Sequence, residues 1–207
     1  MHLSDFDLFV FDFDGTLSTS TALVRVLRLF KRRYSMNYVL THRDKFNRNM
    51  LSAIQLDRNE KYGVYDLFYE LYAFFFKPRI KPGASELLEK LKKEGKKIAL
   101  FSDGKSDRIR KELAMLRIEN YFDIVLSADT IRIYKPNPTP LLLIIKNMHS
   151  SKRKSIYIGD MGTDILTAKF AGIGSCAIAD GFGSIETLKE AKPDFIFKNL
   201  SEFKRKI

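Results

Sequence analysis

Apolar positions along the chain follow two different grammars. Leu8-Phe9-Val10-Phe11 is apolar at every position, which predicts a strand buried on both faces, as in a parallel sheet covered by helices. Over residues 18–77 the spacing is helical instead: Leu23, Val26, Leu27 and Phe30 fall at i, i+3, i+4 and i+7, and Phe46, Met50 and Ile54 are four apart. No β-type alternation with turn signals interrupts that stretch, so it is expected to form a small all-helical unit of about three or four helices. After Lys81-Pro82-Gly83 short apolar strands alternate with helical patterns. The predicted strands cover residues 98–101, 124–126, 156–158, 176–179 and 195–197. Between them lie helices carrying Leu87, Leu88 and Leu91 (ending near Gly95), then Ile109, Leu113 and Leu116, a helix opened by Thr139-Pro140, and segments 165–171 and 184–191.

Strands alternating with helices imply βαβ units and a mostly parallel sheet. The expected fold class is α/β: a Rossmann-like parallel-sheet core, residues 1–17 and 81–207, with an inserted all-helical domain, residues 18–80. In such sheets ligands sit at the carboxyl ends of strands. The first strand ends in Asp12-Phe13-Asp14-Gly15-Thr16, the next in Ser102-Asp103-Gly104. A third leads to Asp129 and Lys135-Pro136-Asn137-Pro138, a fourth to Gly159-Asp160 with Asp164. Taken alone, Asp-Gly is a common turn and aspartate a common helix cap. Two carboxylates at the end of a buried strand equally suit a hard cation such as Mg²⁺, with one of them as nucleophile. The joint placement of three aspartates, a serine and a lysine on separate strand ends favours a site.

These four motifs, in this order, resemble the haloacid dehalogenase-like superfamily, in particular its phosphoglycolate-phosphatase-like branch with a helical cap inserted after the first strand. The resemblance implies a Mg²⁺-dependent phosphatase for a small phosphorylated metabolite. It implies Asp12 as nucleophile, Asp14 as general acid and then base, and Lys135 as the cation that pairs with the nucleophile and a phosphoryl oxygen. Asp12, the backbone carbonyl of Asp14, and Asp160 are the implied Mg²⁺ ligands, with Asp164 behind them orienting Lys135 or a metal-bound water. Ser102, the Asp103 amide and Gly104 are expected at the phosphoryl oxygens, and Thr16 beside Gly15 is expected to fix Asp14 through its hydroxyl. The chain departs from many relatives in having Asp103 where they have asparagine. A carboxylate there must point away from the phosphate or pair, with Lys105 the nearest candidate.

Composition narrows the class further. With 45% hydrophobic and 29% charged residues the chain is a globular protein, and one cysteine, Cys176, excludes a disulfide framework or a multi-cysteine zinc site. A reducing, cytoplasmic setting fits, with no signal-peptide pattern and no apolar run near the length of a membrane span. The net charge of +11 predicts attraction to anions. Residues 18–80 hold 12 basic and five acidic residues, a net +7 that suits an anionic leaving group. Lys31-Arg32-Arg33 within them also reads as a solvated helix end. A pyrophosphatase, nucleotidase or phosphomutase on the same scaffold, or a basic nucleic-acid-binding protein, are the competing readings. The last is disfavoured because every catalytic carboxylate is present. Dehalogenase chemistry needs neither the second aspartate of the first motif nor a metal. The three histidines have no metal-ligand spacing, there is no P-loop, and Gly172-Ile173-Gly174 precedes a strand rather than following one.

Overall fold

The computed structural model describes residues 2–19 and 78–207. Six strands form one sheet: β1 (Leu8–Phe11), β4 (Lys97–Ser102), β5 (Ile124–Ser127), β6 (Ser155–Gly159), β7 (Gly174–Ile178) and β8 (Phe195–Phe197). Their order is β5-β4-β1-β6-β7-β8, and every pairing is parallel. β1 lacks alternation because both of its faces are covered. Phe9 and Phe11 join one apolar cluster, Leu8 and Val10 the other, and all four are fully buried.

Helices supply the outer layers. On the Phe9 side the cluster takes in Leu87, Leu88 and Leu91 of α1 (Ala84–Lys93), Ile109 and Leu113 of α2 (Ser106–Met115), and Leu200 and Phe203 of the terminal helix (Leu200–Lys204). On the Leu8 side it takes in Leu141, Ile144 and Ile145 of the helix Thr139–Asn147, and Ala168 and Ala171 of the helix Gly162–Ala171. The spacing of these apolar positions at three and four residues is what gives each helix one buried stripe. Helix α1 closes as its composition predicts: Gly95 sits at φ +70°, and the Lys96 amide returns to the Leu91 carbonyl at 2.9 Å. Thr139 is the first helical residue rather than a cap. The Asn137 side chain accepts its amide at 2.9 Å instead.

A two-stranded antiparallel ribbon was not legible from periodicity. β2 (Ser18–Thr19) pairs with β3 (Arg79–Ile80), Ser18 opposite Ile80. The chain divides into two units, Met1–Thr19 with Arg79–Ile207, and Ser20–Pro78. The helical reading of residues 18–80 falls almost wholly outside the described residues. Among the described residues no helix is long and apolar enough to cross a membrane.

The strand order places the site. From β1 the core continues through β4 and β5 on one side, then β6, β7 and β8 on the other. The reversal puts the switch point at the carboxyl ends of β1 and β6, the neighbours whose crossovers leave in opposite directions, with β4 next to β1.

Candidate active site

Asp12 follows β1 directly, its amide still on the ladder at 2.8 Å from the Ile158 carbonyl. The chain then turns sharply. The amides of Leu17 and Ser18 both reach the Phe13 carbonyl, at 3.0 and 2.9 Å, and that of Gly15 reaches the Ser18 carbonyl at 2.8 Å. Gly15 sits at φ +86°, and a Cβ there would meet Asp160 Oδ2 at 2.4 Å. Only glycine meets both conditions. The turn keeps Asp12 buried and leaves the Asp14 side chain 31% exposed.

Three carboxylates converge: oxygens of Asp12, Asp160 and Asp164 lie within 4.8 Å of one another. The Lys135 ammonium bridges Asp12 and Asp164, 2.8 Å from the latter. It sits 5.6 Å from the ring centres of both Phe101 and Tyr157. Asp164 Oδ2 accepts the Asp160 and Met161 amides at 3.1 and 2.8 Å, so this side chain also stitches the first turn of its helix. Asp160 Oδ2 accepts the Phe182 amide at 2.5 Å.

Thr16 corrects one expectation. Its hydroxyl does not hold Asp14. It lies 2.8 Å from Asp160 Oδ1 and 3.2 Å from Asp12 Oδ2, fully buried between them. The turn points Thr16 into the cluster, while the Asp14 carboxylate goes to Arg108, which takes both of its oxygens at 2.9 and 2.6 Å. The Asp14 carboxylate is therefore not a member of the acidic cluster; the metal role expected of that residue concerns its carbonyl oxygen.

Among the described residues, the Lys135 ammonium is the cation in contact with these three buried carboxylates, a formal excess of two negative charges. Burial raises the Asp12 carboxyl well above its usual range, and Asp164 and Asp160 add to the effect despite Lys135. Burial and the charge of Asp164 push Asp160 up to about 6. Desolvation alone would lower Lys135, but Asp12 and Asp164 outweigh it, so the ammonium is held. An all-oxygen donor set with a charge deficit of two fits a hard divalent cation such as Mg²⁺. A pH dependence follows. A raised carboxyl pKa means that the folded protein retains a proton which the unfolded chain has already lost. The metal-free fold therefore loses stability as pH rises through about 4 to 6 for Asp160. A cation needs the ionised form, so the rise in Tm caused by Mg²⁺ should be small at about pH 5 and larger at about pH 7.5. Thermal melts at both pH values, with and without Mg²⁺, check this; an increment independent of pH would refute it.

The second and third motifs interlock. Ser102 is buried, and its Oγ accepts the Gly104 amide at 3.1 Å, closing the loop after β4. It does not cap α2, whose first amide, Ser106, is bound by Asp129 Oδ2 at 3.0 Å. The Asp103 carboxylate accepts the Lys135 backbone amide at 3.2 Å, so it ties the two loops together. A side chain at Gly104 would strike Arg108, since a Cβ there comes within 2.1 Å of Nη2.

Sequence reasoning missed Arg108, Glu112, Lys81 and Asp180. Arg108 and Glu112 carry a readable i, i+4 signal on α2, and Nη1 lies 3.3 Å from Glu112 Oε1. Lys81 is buried, donates to the Gly15 carbonyl at 2.9 Å and pairs with Asp180. Nothing local to Lys81 announces that role.

The structure is thus a parallel α/β core with a carboxylate–lysine cluster at its central strand end. The chain belongs to the haloacid dehalogenase-like hydrolase family, whose model matches residues 9–178. It is similar to the protein named "Putative pyrophosphatase PpaX" of Caldanaerobacter subterraneus, 24% identical over 92% of this chain and 90% of that protein. It is also similar to the phosphoglycolate phosphatase of Pseudomonas fluorescens, 29% identical over 73% of this chain and 56% of that protein. In fold it matches the crystal structure of a hydrolase from Pseudomonas syringae, with a TM-score of 0.71 at 21% identity over 95% of both chains.

Proposed function

We propose that this hydrolase is a Mg²⁺-dependent phosphatase for a small anionic phosphate monoester of the phosphoglycolate kind, working through an aspartyl-phosphate on Asp12. The observation that carries the reading is the Lys135 ammonium between Asp12 and Asp164, with Asp160 beside them and, among the described residues, a formal excess of two negative charges. Asp12 attacks phosphorus, the bond to the ester oxygen breaks, and Asp14 gives that oxygen its proton. Asp14 then takes a proton from water as the water attacks the acyl phosphate, which frees Asp12 and inorganic phosphate. Lys135, Ser102, the Asp103 amide and Gly104 hold the phosphoryl oxygens, and Asp164 positions Lys135. Asp12, the Asp14 carbonyl and Asp160 would hold Mg²⁺, which supplies the positive charge that lets an anionic nucleophile meet an anionic phosphate.

Two relatives support an anion next to the scissile bond. One carries a phosphoglycolate phosphatase name, the other a pyrophosphatase name. Residues 18–80 enter this reading as the helical cap, and their +7 charge attracts such substrates at long range. The test is release of inorganic phosphate from phosphoglycolate and from pyrophosphate. Turnover in Mg²⁺ should fall by about a hundredfold or more in EDTA and return when Mg²⁺ is restored. Turnover that ignores EDTA would remove the metal from the proposal. No phosphate release from folded protein with either compound would remove the reaction.

A further inference from the structure

We infer that Arg108 is a specificity-determining residue, the group that binds the second anion of the substrate, a carboxylate or phosphate carried by the leaving group. This rests on the phosphatase reading above. The guanidinium is a planar fork, and it already holds a planar anion: Nη1 and Nη2 lie 2.9 and 2.6 Å from the two oxygens of Asp14. Such bidentate geometry suits carboxylates and phosphates and selects against uncharged groups. Asp14 is the residue that protonates the leaving oxygen in this reading. An anion one or two bonds from that oxygen therefore comes within reach of the fork.

The fork is also held in place independently of Asp14. Glu112, one turn along α2, is buried, and both of its oxygens lie within 3.3 to 3.4 Å of Nη1. A buried carboxylate keeps its cation because an unpaired one is costly. Arg108 can thus exchange Asp14 for a substrate anion without leaving the site. The same Nη2 that holds Asp14 Oδ2 also lies against Gly104. It lies between the proton donor and the loop proposed to hold the phosphoryl group, where a leaving group belongs. An ordinary i, i+4 pair on a solvated helix face would reach no site residue, whereas Asp14 is 94 positions away in the chain.

The experiment compares kcat/KM for three substrates in Mg²⁺: phosphoglycolate, pyrophosphate and ethyl phosphate, whose leaving group bears no charge. Wild type should prefer at least one of the anionic compounds over ethyl phosphate by about tenfold or more. Arg108→Ala should lower all rates but collapse that preference to near unity, mainly through KM for the anionic compound. Arg108→Lys keeps the charge and loses the fork, and should retain only part of the preference. Glu112→Gln should weaken it in the same direction and guards against a poorly folded alanine variant. Whichever anion loses its advantage identifies the group that Arg108 binds. Equal losses on charged and uncharged esters in all three variants would overturn the inference alone, as would a wild type that prefers ethyl phosphate. Failure of wild type on all three compounds would sink the phosphatase reading, and this inference with it.

Discussion

Asp12→Asn should lower kcat for phosphate release by about 10⁴-fold or more while leaving the protein folded. The amide has nearly the shape of the carboxylate, so it disturbs packing little, but it offers no anionic oxygen to attack phosphorus. The substitution also removes one of three crowded negative charges. Lys135 keeps Asp164 at 2.8 Å, so no buried cation is stranded. Metal-free Asp12→Asn should therefore melt at or above the temperature of metal-free wild type. Acid quenching during turnover of a phosphate-labelled ester should leave protein-bound phosphate on wild type and none on the variant. A variant retaining more than about one part in a hundred of wild-type kcat would show that water, not Asp12, makes the attack.

Lys135→Met should be nearly as damaging to activity and far more damaging to the fold. The methionine stem still fills the space against Phe101 and Tyr157. What is lost is the cation that bridges Asp12 and Asp164, both almost fully buried. Removing one partner of a buried ion pair costs about 3–5 kcal/mol. For a chain of this size that corresponds to a fall in Tm of roughly 10 °C without metal. Loss of the charge on the transferring phosphoryl group should lower kcat by about 10³-fold. Mg²⁺ should raise the Tm of Lys135→Met more than it raises that of wild type, because it becomes the main cation at the cluster. Equal Mg²⁺ shifts in the two proteins would mean that Lys135 and the cation do not share the same carboxylates.

The core was legible because its signals are local. Four consecutive apolar residues in β1 suit a strand buried on both faces, and strand alternating with helix points to a parallel sheet between helical layers. The carboxylates were visible for the same reason, since each follows a short apolar run that marks a strand end. The direction of the Thr16 hydroxyl was not, because it depends on how the turn after Phe13 closes, and the positive φ of Gly15 sends it toward Asp160 instead of Asp14. Arg108 was hidden by distance in sequence: its pairing with Asp14 exists only because β1 and β4 are neighbours in the sheet. The Asp103 carboxylate likewise finds its partner, the Lys135 amide, across two loops that no spacing rule connects. The ribbon of β2 and β3 has two residues per strand, too few for any alternation to show.

That ribbon has a consequence for how the chain is built. Ser18 and Thr19 lie opposite Ile80 and Arg79, so the polypeptide leaves the core and re-enters it at one doorway. Whatever is threaded between the two doorposts, the strand bearing Asp12 and the sheet beside it close on their own terms. A chain wired this way can exchange everything from residue 20 to residue 78 for a longer, shorter or unrelated segment while its carboxylates keep their register. Diversification by insertion then needs no redesign of the reacting groups, only two ends that still meet across the two residue pairs of that ribbon.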